Sequence, residues 1–374
     1  SKTIFQVHEN NKTYLWEPFS KKYEGVYKIV RNLYKNNFGN KVIFEEINHD
    51  LGLTFKYEWN SSNQFGFVKK STVINTTNNI KEITVLDGIQ NIIPYGVGES
   101  LQNSSSNLVD AYKKSELEEE VGLGIFSLSA IIVDKAEPSE ALKSNIVWSV
   151  GVENPIYLLS STQLDKFRKG LEIHQEVDIK AEKGAYFTCS EISLNPNSAK
   201  DWMLIANVNQ SITDVKAISE KIKKDSTIVG QVDRDIEKGT KILVELAGAA
   251  DGLQLTEDKL YNTRHFSNTL FNIMRGGIFD NNYNVEKREF ITYISKANKK
   301  VFKKKEEVLN QLPDLFSISY LKELVAQSED KNFMRLCFEY MPLKFSRRHG
   351  DPSRPWNKFS INTRSEIDGS KILD

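Results

Sequence analysis

The sequence predicts an α+β protein, in which a strand-rich N-terminal part is followed by a mostly helical part. Residues 12–93 contain short runs of aromatic and β-branched residues separated by Asn, Gly and Ser clusters, a pattern typical of antiparallel strands joined by polar turns. Beyond residue 210 the apolar positions recur every three or four residues, which indicates amphipathic helices. We therefore expect an N-terminal antiparallel β-sandwich with helices after it.

Residues 53–59 show the strand pattern most clearly, because apolar and polar side chains alternate along them. The apolar residues are Leu53, Phe55, Tyr57 and Trp59, and the polar ones are Thr54, Lys56 and Glu58. Since successive side chains of a strand point to opposite faces, the apolar set predicts a buried face and the polar set an outer one. Further strands are predicted at 124–133, 146–152, 156–159, 185–192 and 202–208, and a helix at 107–120.

The helical part begins near Ser211, which precedes an apolar pattern of helical spacing over residues 211–224. Similar patterns predict helices at 227–250, 268–274, 285–312 and 319–340. The lysine-rich stretch at 299–305 lies within one of them beside two glutamates, which favours a solvated helix face. The predicted domains are a β-rich sandwich domain over 1–210, a helical linker region over 211–312 and the start of a further helical domain over 313–374.

Composition excludes several classes of function. The 50 basic and 50 acidic residues balance, whereas a dedicated nucleic-acid-binding protein would normally show a basic excess. No apolar run is long enough for a membrane span and the N-terminus does not resemble a secretion signal, so we expect a cytoplasmic protein that binds neither membrane nor nucleic acid. The two cysteines, Cys189 and Cys337, are far apart, and no His or Cys pair has metal-ligand spacing, so neither a disulfide nor a metal site is expected.

The last residues predict a hairpin that stops early. Asp368 and Gly369 are typical of a hairpin turn, but only Lys371, Ile372 and Leu373 remain to form the returning strand before Asp374. We therefore expect the chain to be an N-terminal fragment of a larger protein. Its final helices would then expose apolar surface, which would favour a homodimer.

The strongest candidate site is the segment 347–357, whose sequence is Arg-Arg-His-Gly-Asp-Pro-Ser-Arg-Pro-Trp-Asn. Its prolines and glycine exclude a continuous helix and predict a rigid loop, where binding residues are often found. Trp356 offers an apolar face for a sugar ring, and its charged neighbours can bind hydroxyls or phosphate. The candidate substrate-binding residues are Arg347, Arg348, His349, Asp351, Arg354, Trp356 and Asn357. The structural alternative is that the arginines pair with acidic residues across a domain junction while Trp356 fills a core.

The roles of His349 and Arg275 leave alternatives open. His349 and Asp351 could form an acid–base couple, but their spacing on an irregular loop favours binding or structural roles for His349. Arg275, at the end of the predicted helix 268–274, could satisfy the carbonyls of that helix or reach a ligand, and the structural role is favoured. Acidic residues are too numerous for a glycosidase carboxylate pair to be recognised by spacing. The sequence itself thus assigns no catalytic residue.

Two segments carry a resemblance to known proteins. These are 265–279, His-Phe-Ser-Asn-Thr-Leu-Phe-Asn-Ile-Met-Arg-Gly-Gly-Ile-Phe, and 345–357, which contains the candidate loop. With the order of the parts, they resemble a group of large bacterial proteins that are similar in layout to cellobiose phosphorylase and its relatives in the six-hairpin glycosidase-like superfamily. The resemblance in layout covers essentially the whole chain.

The resemblance implies a supersandwich-like β domain, a helical linker and an (α/α) barrel that begins in 313–374. It also implies an oligosaccharide substrate, with the loop around Arg348 and Trp356 at the mouth of the barrel. Relatives carry their general acid in a Trp-Arg-Asp or Phe-Arg-Asp sequence, which this chain lacks, so the acid is expected beyond Asp374. Inorganic phosphate is implied as a co-substrate if the chain follows the phosphorylases, and no other cofactor is expected.

Two functions from different classes follow. In the first, the chain is the N-terminal part of a glycoside hydrolase or phosphorylase acting on an oligosaccharide, with the fragment itself inactive. In the second, the sandwich and its helices form a carbohydrate-binding or assembly module that performs no chemistry.

Overall fold

The structure is a computed structural model that describes residues 1–132, 140–249, 252–253, 256–274, 278–279, 284–326, 328–340 and 343–344. It has the mixed α+β fold predicted from the sequence, with large antiparallel sheets first and helices after them. The chain divides into two compact units, Ser1–Ile242 and Leu243–Asp374. The three domain ranges predicted from the sequence stay predictions.

The strands in the described residues of the first unit form two antiparallel sheets. Their strands in chain order are β1 (Lys2–Glu9), β2 (Lys12–Trp16), β3 (Ile29–Lys35), β4 (Val42–Asn48), β5 (Leu53–Ser62), β6 (Gly66–Asn75), β7 (Lys81–Ile92), β8 (Lys113–Glu118), β9 (Leu123–Leu128), β10 (Lys143–Val150), β11 (Ile156–Leu158), β12 (Asp178–Lys180), β13 (Gly184–Leu194) and β14 (Ala199–Ser211). A five-stranded sheet has the order β11-β13-β7-β1-β2, and a nine-stranded sheet has the order β12-β8-β9-β10-β14-β6-β5-β4-β3.

The two sheets share a core, because each turns one apolar face towards the other. One cluster joins Phe5 of β1 to Phe55 of β5 and Trp202 of β14, and another joins Tyr186 of β13 to Leu204 of β14. Burial of such large side chains is the dominant favourable contribution to folding.

The buried face predicted for β5 is confirmed for Leu53 and Phe55, and Tyr57 packs against the same cluster. Trp59 is only partly buried, and Thr54, which was predicted to face outward, is buried.

Helices cover parts of the outer sheet faces. The first unit contains α1 (Glu99–Ser104), α2 (Ser106–Tyr112), α3 (Leu164–Arg168) and α4 (Ile212–Lys224), and α5 (Ile228–Ala249) begins in it. Ser211 caps α4, since its hydroxyl accepts from the Asp214 amide while the Asp214 side chain accepts from the Ser211 amide. Val215 of α4 and Val232 of α5 pack on Trp148 of β10, which anchors both helices on the nine-stranded sheet.

The predicted helix over 107–120 is wrong in its second half. Helix α2 ends at Tyr112, and strand β8 takes the residues that follow. Lys113, Ser115 and Leu117 are buried while the residues between them are partly exposed. Pairing of β8 with both β9 and β12 satisfies its backbone groups and outweighs the helical spacing of its apolar residues.

The second unit contains mainly short helices. Its elements in chain order are α6 (Lys259–Met274), β15 (Ile278–Phe279), β16 (Asn284–Glu286), α7 (Lys287–Ala297), α8 (Lys299–Lys304), α9 (Glu306–Gln311), β17 (Leu315–Ser317), α10 (Ile318–Ala326), α11 (Lys331–Glu339) and β18 (Leu343–Lys344). The patterns that predicted long helices at 285–312 and 319–340 are interrupted. Asn298 and Asp330 each accept backbone N–H groups and start a new helix.

The second unit has a core of its own. Phe290 and Ile294 of α7 pack with Leu321 of α10 and Leu336 of α11. Among the helices of the described residues, none is long and apolar enough to cross a membrane.

Candidate functional site

The loop predicted to bind substrate lies outside the described residues. This holds for Arg347, Arg348, His349, Asp351, Arg354, Trp356 and Asn357, and also for Arg275. Their roles stay predictions.

The described part of the first unit contains a cavity of about 420 Å³ on the outer face of the nine-stranded sheet. Its floor comes from β4, β5, β6, β14 and β10, and one wall is the beginning of α5. The volume lies within the range of small-molecule binding sites. Sequence reasoning singled out none of these residues as a site, although it placed Lys56 and Glu58 on the outer face of their strand.

Two rows of side chains cross the floor, because the strands pair in register. Lys56 of β5 lies opposite Thr72 of β6, which lies opposite Asp201 of β14. In the next row Glu58 lies opposite Lys70, and Lys70 lies opposite Met203. Residues that share the outer face recur every second position along each strand, so each strand contributes to both rows.

The apolar ends of the second row complete the floor. Ile43 of β4 pairs with Glu58, and Val150 of β10 pairs with Met203. Gly151 follows Val150 with a φ of +91°, and a Cβ there would meet the Asp201 carbonyl oxygen at 2.8 Å. Only glycine therefore lets the end of β10 lie this close to β14 without a shift.

The wall of the cavity is one face of α5. Val229 and Asp233 are four residues apart and so lie on the same side of the helix. Asp233 forms an ion pair with Lys70, which joins the wall to the floor. The partners are 163 residues apart in sequence, and nothing in the local pattern of either segment indicates that they meet.

The polar side chains of the cavity are held by neighbours. The Thr72 hydroxyl donates to Asp201 Oδ1 at 2.5 Å, and Lys56 Nζ lies 2.6 Å from Glu45 Oε2. Glu58 Oε1 accepts from Asn60 at 2.9 Å and lies 3.6 Å from Lys41 Nζ. Glu58 is only 16% exposed, so its position is well defined.

Each of the three cavity carboxylates keeps one oxygen available. Asp201 Oδ2, Glu58 Oε2 and Asp233 Oδ2 accept no hydrogen bond within the described residues. A carboxylate can accept about four hydrogen bonds, so each group retains acceptor capacity. The cavity thus combines fixed acceptors, two ammonium groups, hydroxyl groups and several apolar side chains.

A buried polar network lies on the other face of the same strands. Asp87 accepts from Thr3 at 2.6 Å, Trp202 Nε1 at 2.8 Å and Ser71 at 3.1 Å, and it pairs with Lys69. Lys69 and Asp87 are both fully buried. Burial lowers the pKa of Lys69, and the Asp87 carboxylate acts in the opposite direction. Ser71 and Trp202 themselves line the cavity, and Lys69 precedes Lys70 in β6, so this network supports the floor.

Neither cysteine is suited to catalysis as a nucleophile. Cys189 and Cys337 are buried free thiols, and burial raises the pKa of each to about 12. The reactive thiolate is therefore scarce near neutral pH. Within the described residues, no group of three or more His, Cys, Asp or Glu side chains is arranged to hold a metal ion.

One family model matches part of the second unit. Residues 279–342 match the model described as glycoside hydrolase family 149 insertion domain 1. The match agrees with the predicted resemblance to glycosidase- and phosphorylase-like proteins. The matched range crosses the predicted boundary between residues 312 and 313.

Solved structures show weak similarity in fold. A bacterial glucoamylase complexed with acarbose has a TM-score of 0.43 at 9% identity, over 87% of this chain and 44% of that one. A protein from the human microbiome, described provisionally as a kojibiose phosphorylase, has a TM-score of 0.41 at 8% identity, over 91% of this chain and 41% of that one. The chain therefore spans less than half the length of either structure. No curated protein matches the sequence.

Proposed function

We propose that this chain is the N-terminal part of a carbohydrate-active enzyme, a glycoside hydrolase or phosphorylase that acts on an oligosaccharide. The observation that carries the proposal is the match of residues 279–342 to an insertion domain of glycoside hydrolase family 149. The described residues of that range pack around a core of their own, which includes Phe290 and Leu336, as expected of a domain inserted into a larger enzyme. A cytoplasmic location is part of the proposal.

In this proposal the segment 347–357 contacts the substrate. A tryptophan face and several arginines suit a sugar ring and its hydroxyls, or a phosphate that attacks the glycosidic bond. Glycoside cleavage also needs a carboxylic acid that protonates the leaving oxygen. None of the acidic residues of the chain is assigned this role. In the proposal the acid lies beyond Asp374, as the resemblance implies.

The test uses the natural full-length protein and a panel of glucose disaccharides and trisaccharides of different linkage. Incubation with inorganic phosphate should give a sugar 1-phosphate if the enzyme is a phosphorylase. Release of reducing sugar without phosphate would instead assign hydrolysis. If no sugar of the panel is turned over, with or without phosphate, the proposed activity on glucose oligosaccharides is overturned.

A further inference from the structure

We propose that the cavity on the outer face of the nine-stranded sheet is a non-catalytic binding site for a neutral sugar. The site is formed by residues of the first unit, with Asp201, Thr72 and Glu58 on the floor and Asp233 on the wall. It is separate in sequence from the predicted substrate loop at 347–357.

The balance of charge argues for a neutral ligand. Two ammonium groups, of Lys56 and Lys70, face three carboxylates, of Glu58, Asp201 and Asp233. An anion such as phosphate would meet a small excess of negative charge, and both ammonium groups already pair with carboxylates. A metal ion is also disfavoured, since the described carboxylates do not converge on one point.

The hydrogen-bonding groups argue for a ligand rich in hydroxyls. The three available oxygens, Asp201 Oδ2, Glu58 Oε2 and Asp233 Oδ2, are acceptors that require donors. Sugar hydroxyls donate and accept at once, so they can bind the carboxylates and still accept from an ammonium group. Hydrogen bonds to charged groups are stronger than neutral ones, so such contacts contribute substantially to binding.

The rest of the floor suits the apolar part of a sugar. Met203 and Val150 lie side by side across β14 and β10, and Val229 faces the cavity from α5. The C–H faces of a pyranose ring can pack on these side chains while its hydroxyls reach the carboxylates. The choice of a sugar over other neutral polyols rests on the proposed function.

Met203 provides a local probe of binding. Full-length protein carrying ¹³C-methyl methionine is titrated separately with maltotriose, cellotriose, laminaritriose and inorganic phosphate. At least one trisaccharide should shift the Met203 methyl signal, identified with Met203→Leu, while Met334 in the second unit keeps its position. The proposal is overturned if no trisaccharide shifts the Met203 signal, or if phosphate alone does.

Two substitutions test which groups bind the sugar. Thr72→Val is nearly isosteric and removes the hydrogen bond that orients Asp201, and Asp201→Ala removes the acceptor itself from an exposed position. Each should raise the trisaccharide dissociation constant, measured from the Met203 signal, by about tenfold. This is the change expected for the loss of a hydrogen bond involving a charged group. Asp178→Ala, an exposed change on β12 of the same sheet, is the matched control and should leave the titration unchanged.

The results separate this proposal from the proposed function. Unchanged affinity in folded Thr72→Val and Asp201→Ala would overturn the sugar site, whatever the turnover measured. A Met203 shift that both variants weaken would support it, even if no sugar is turned over. Melting temperatures of the variants confirm that a loss of binding is not a loss of fold.

Discussion

At the scale of single residues, the fully buried pair of Lys69 and Asp87 is the most demanding feature of the first unit. Two charges removed from water are tolerated only when each is paired and further hydrogen bonds satisfy the remaining groups. Asp87 meets this condition through Thr3, Ser71 and Trp202, and Lys69 also lies 5.2 Å from the centre of the Tyr57 ring. The pair therefore depends on side chains from both sheets.

Replacement of one partner should expose this dependence. We expect Asp87→Asn to lower the free energy of unfolding by about 3–5 kcal/mol, because it leaves a buried ammonium group without a counter-charge. Asp178→Asn, which breaks the exposed pair with Lys180, should cost no more than about 1 kcal/mol. Urea unfolding at neutral pH, followed by tryptophan fluorescence, measures both. Equal costs for the two variants would show that burial of the pair has no special energetic role.

A second residue-scale prediction concerns Trp356 in the proposed substrate loop. If its ring supports a sugar, Trp356→Ala in the full-length protein should weaken substrate binding by about 1–3 kcal/mol. Trp356→Phe keeps an aromatic face and should recover part of that loss. Isothermal titration calorimetry with a substrate found in the turnover assay gives the affinities. Unchanged affinity in a folded Trp356→Ala protein would favour the structural role for this tryptophan.

At the scale of elements, Glu17 ties α3 to the five-stranded sheet. Its carboxylate accepts from Lys2 of β1 at 2.6 Å and from Arg168 of α3 at 3.1 and 3.2 Å. Burial by itself raises the pKa of Glu17, but the hydrogen bonds from Arg168 and Lys2 outweigh it and hold the pKa below the ordinary value of 4.5. The ionised form is thus favoured in the folded state.

The lowered pKa of Glu17 fixes the sign of its pH dependence. Its contribution to stability is present above the ordinary pKa of 4.5 and is lost as the pH falls through the lower folded-state value. Glu17→Gln should therefore lower the melting temperature clearly near about pH 7 and much less near about pH 3. Exposed Glu182→Gln is the control and should show no such trend. If the decrease in melting temperature caused by Glu17→Gln became larger at lower pH, the lowered pKa of Glu17 would be contradicted.

At the scale of the whole molecule, local patterns predicted the class of fold but not its pairings. The alternation in β5 correctly predicted that Leu53 and Phe55 are buried, because a strand with one buried face carries apolar residues at every second position. It did not predict that Thr54 is buried or that Trp59 is only partly buried. No sequence pattern indicates the contact of Asp233 with Lys70, because this contact depends on how α5 lies on the sheet. The error at 107–120 has the same origin, because β8 is a strand through its pairing with β9 and β12. The cavity was missed because β4, β5 and β6, which supply part of it, lie far in sequence from β10, β14 and α5, which supply the rest.

The separate cores of the two units lead to a prediction for the whole molecule. Phe290 is fully buried in the core of the second unit, and Phe55 is fully buried between the sheets of the first. We expect Phe290→Ala to cost about 3–5 kcal/mol within its own unit, as large-to-small core changes do. Hydrogen exchange measured by mass spectrometry should then show lost protection in α7, α10 and α11 and unchanged protection in β7 and β13. Phe55→Ala should give the reverse pattern. If either variant removed protection from both units, the two cores would form one cooperative unit, and residues 279–342 would not behave as an inserted domain that folds on its own core.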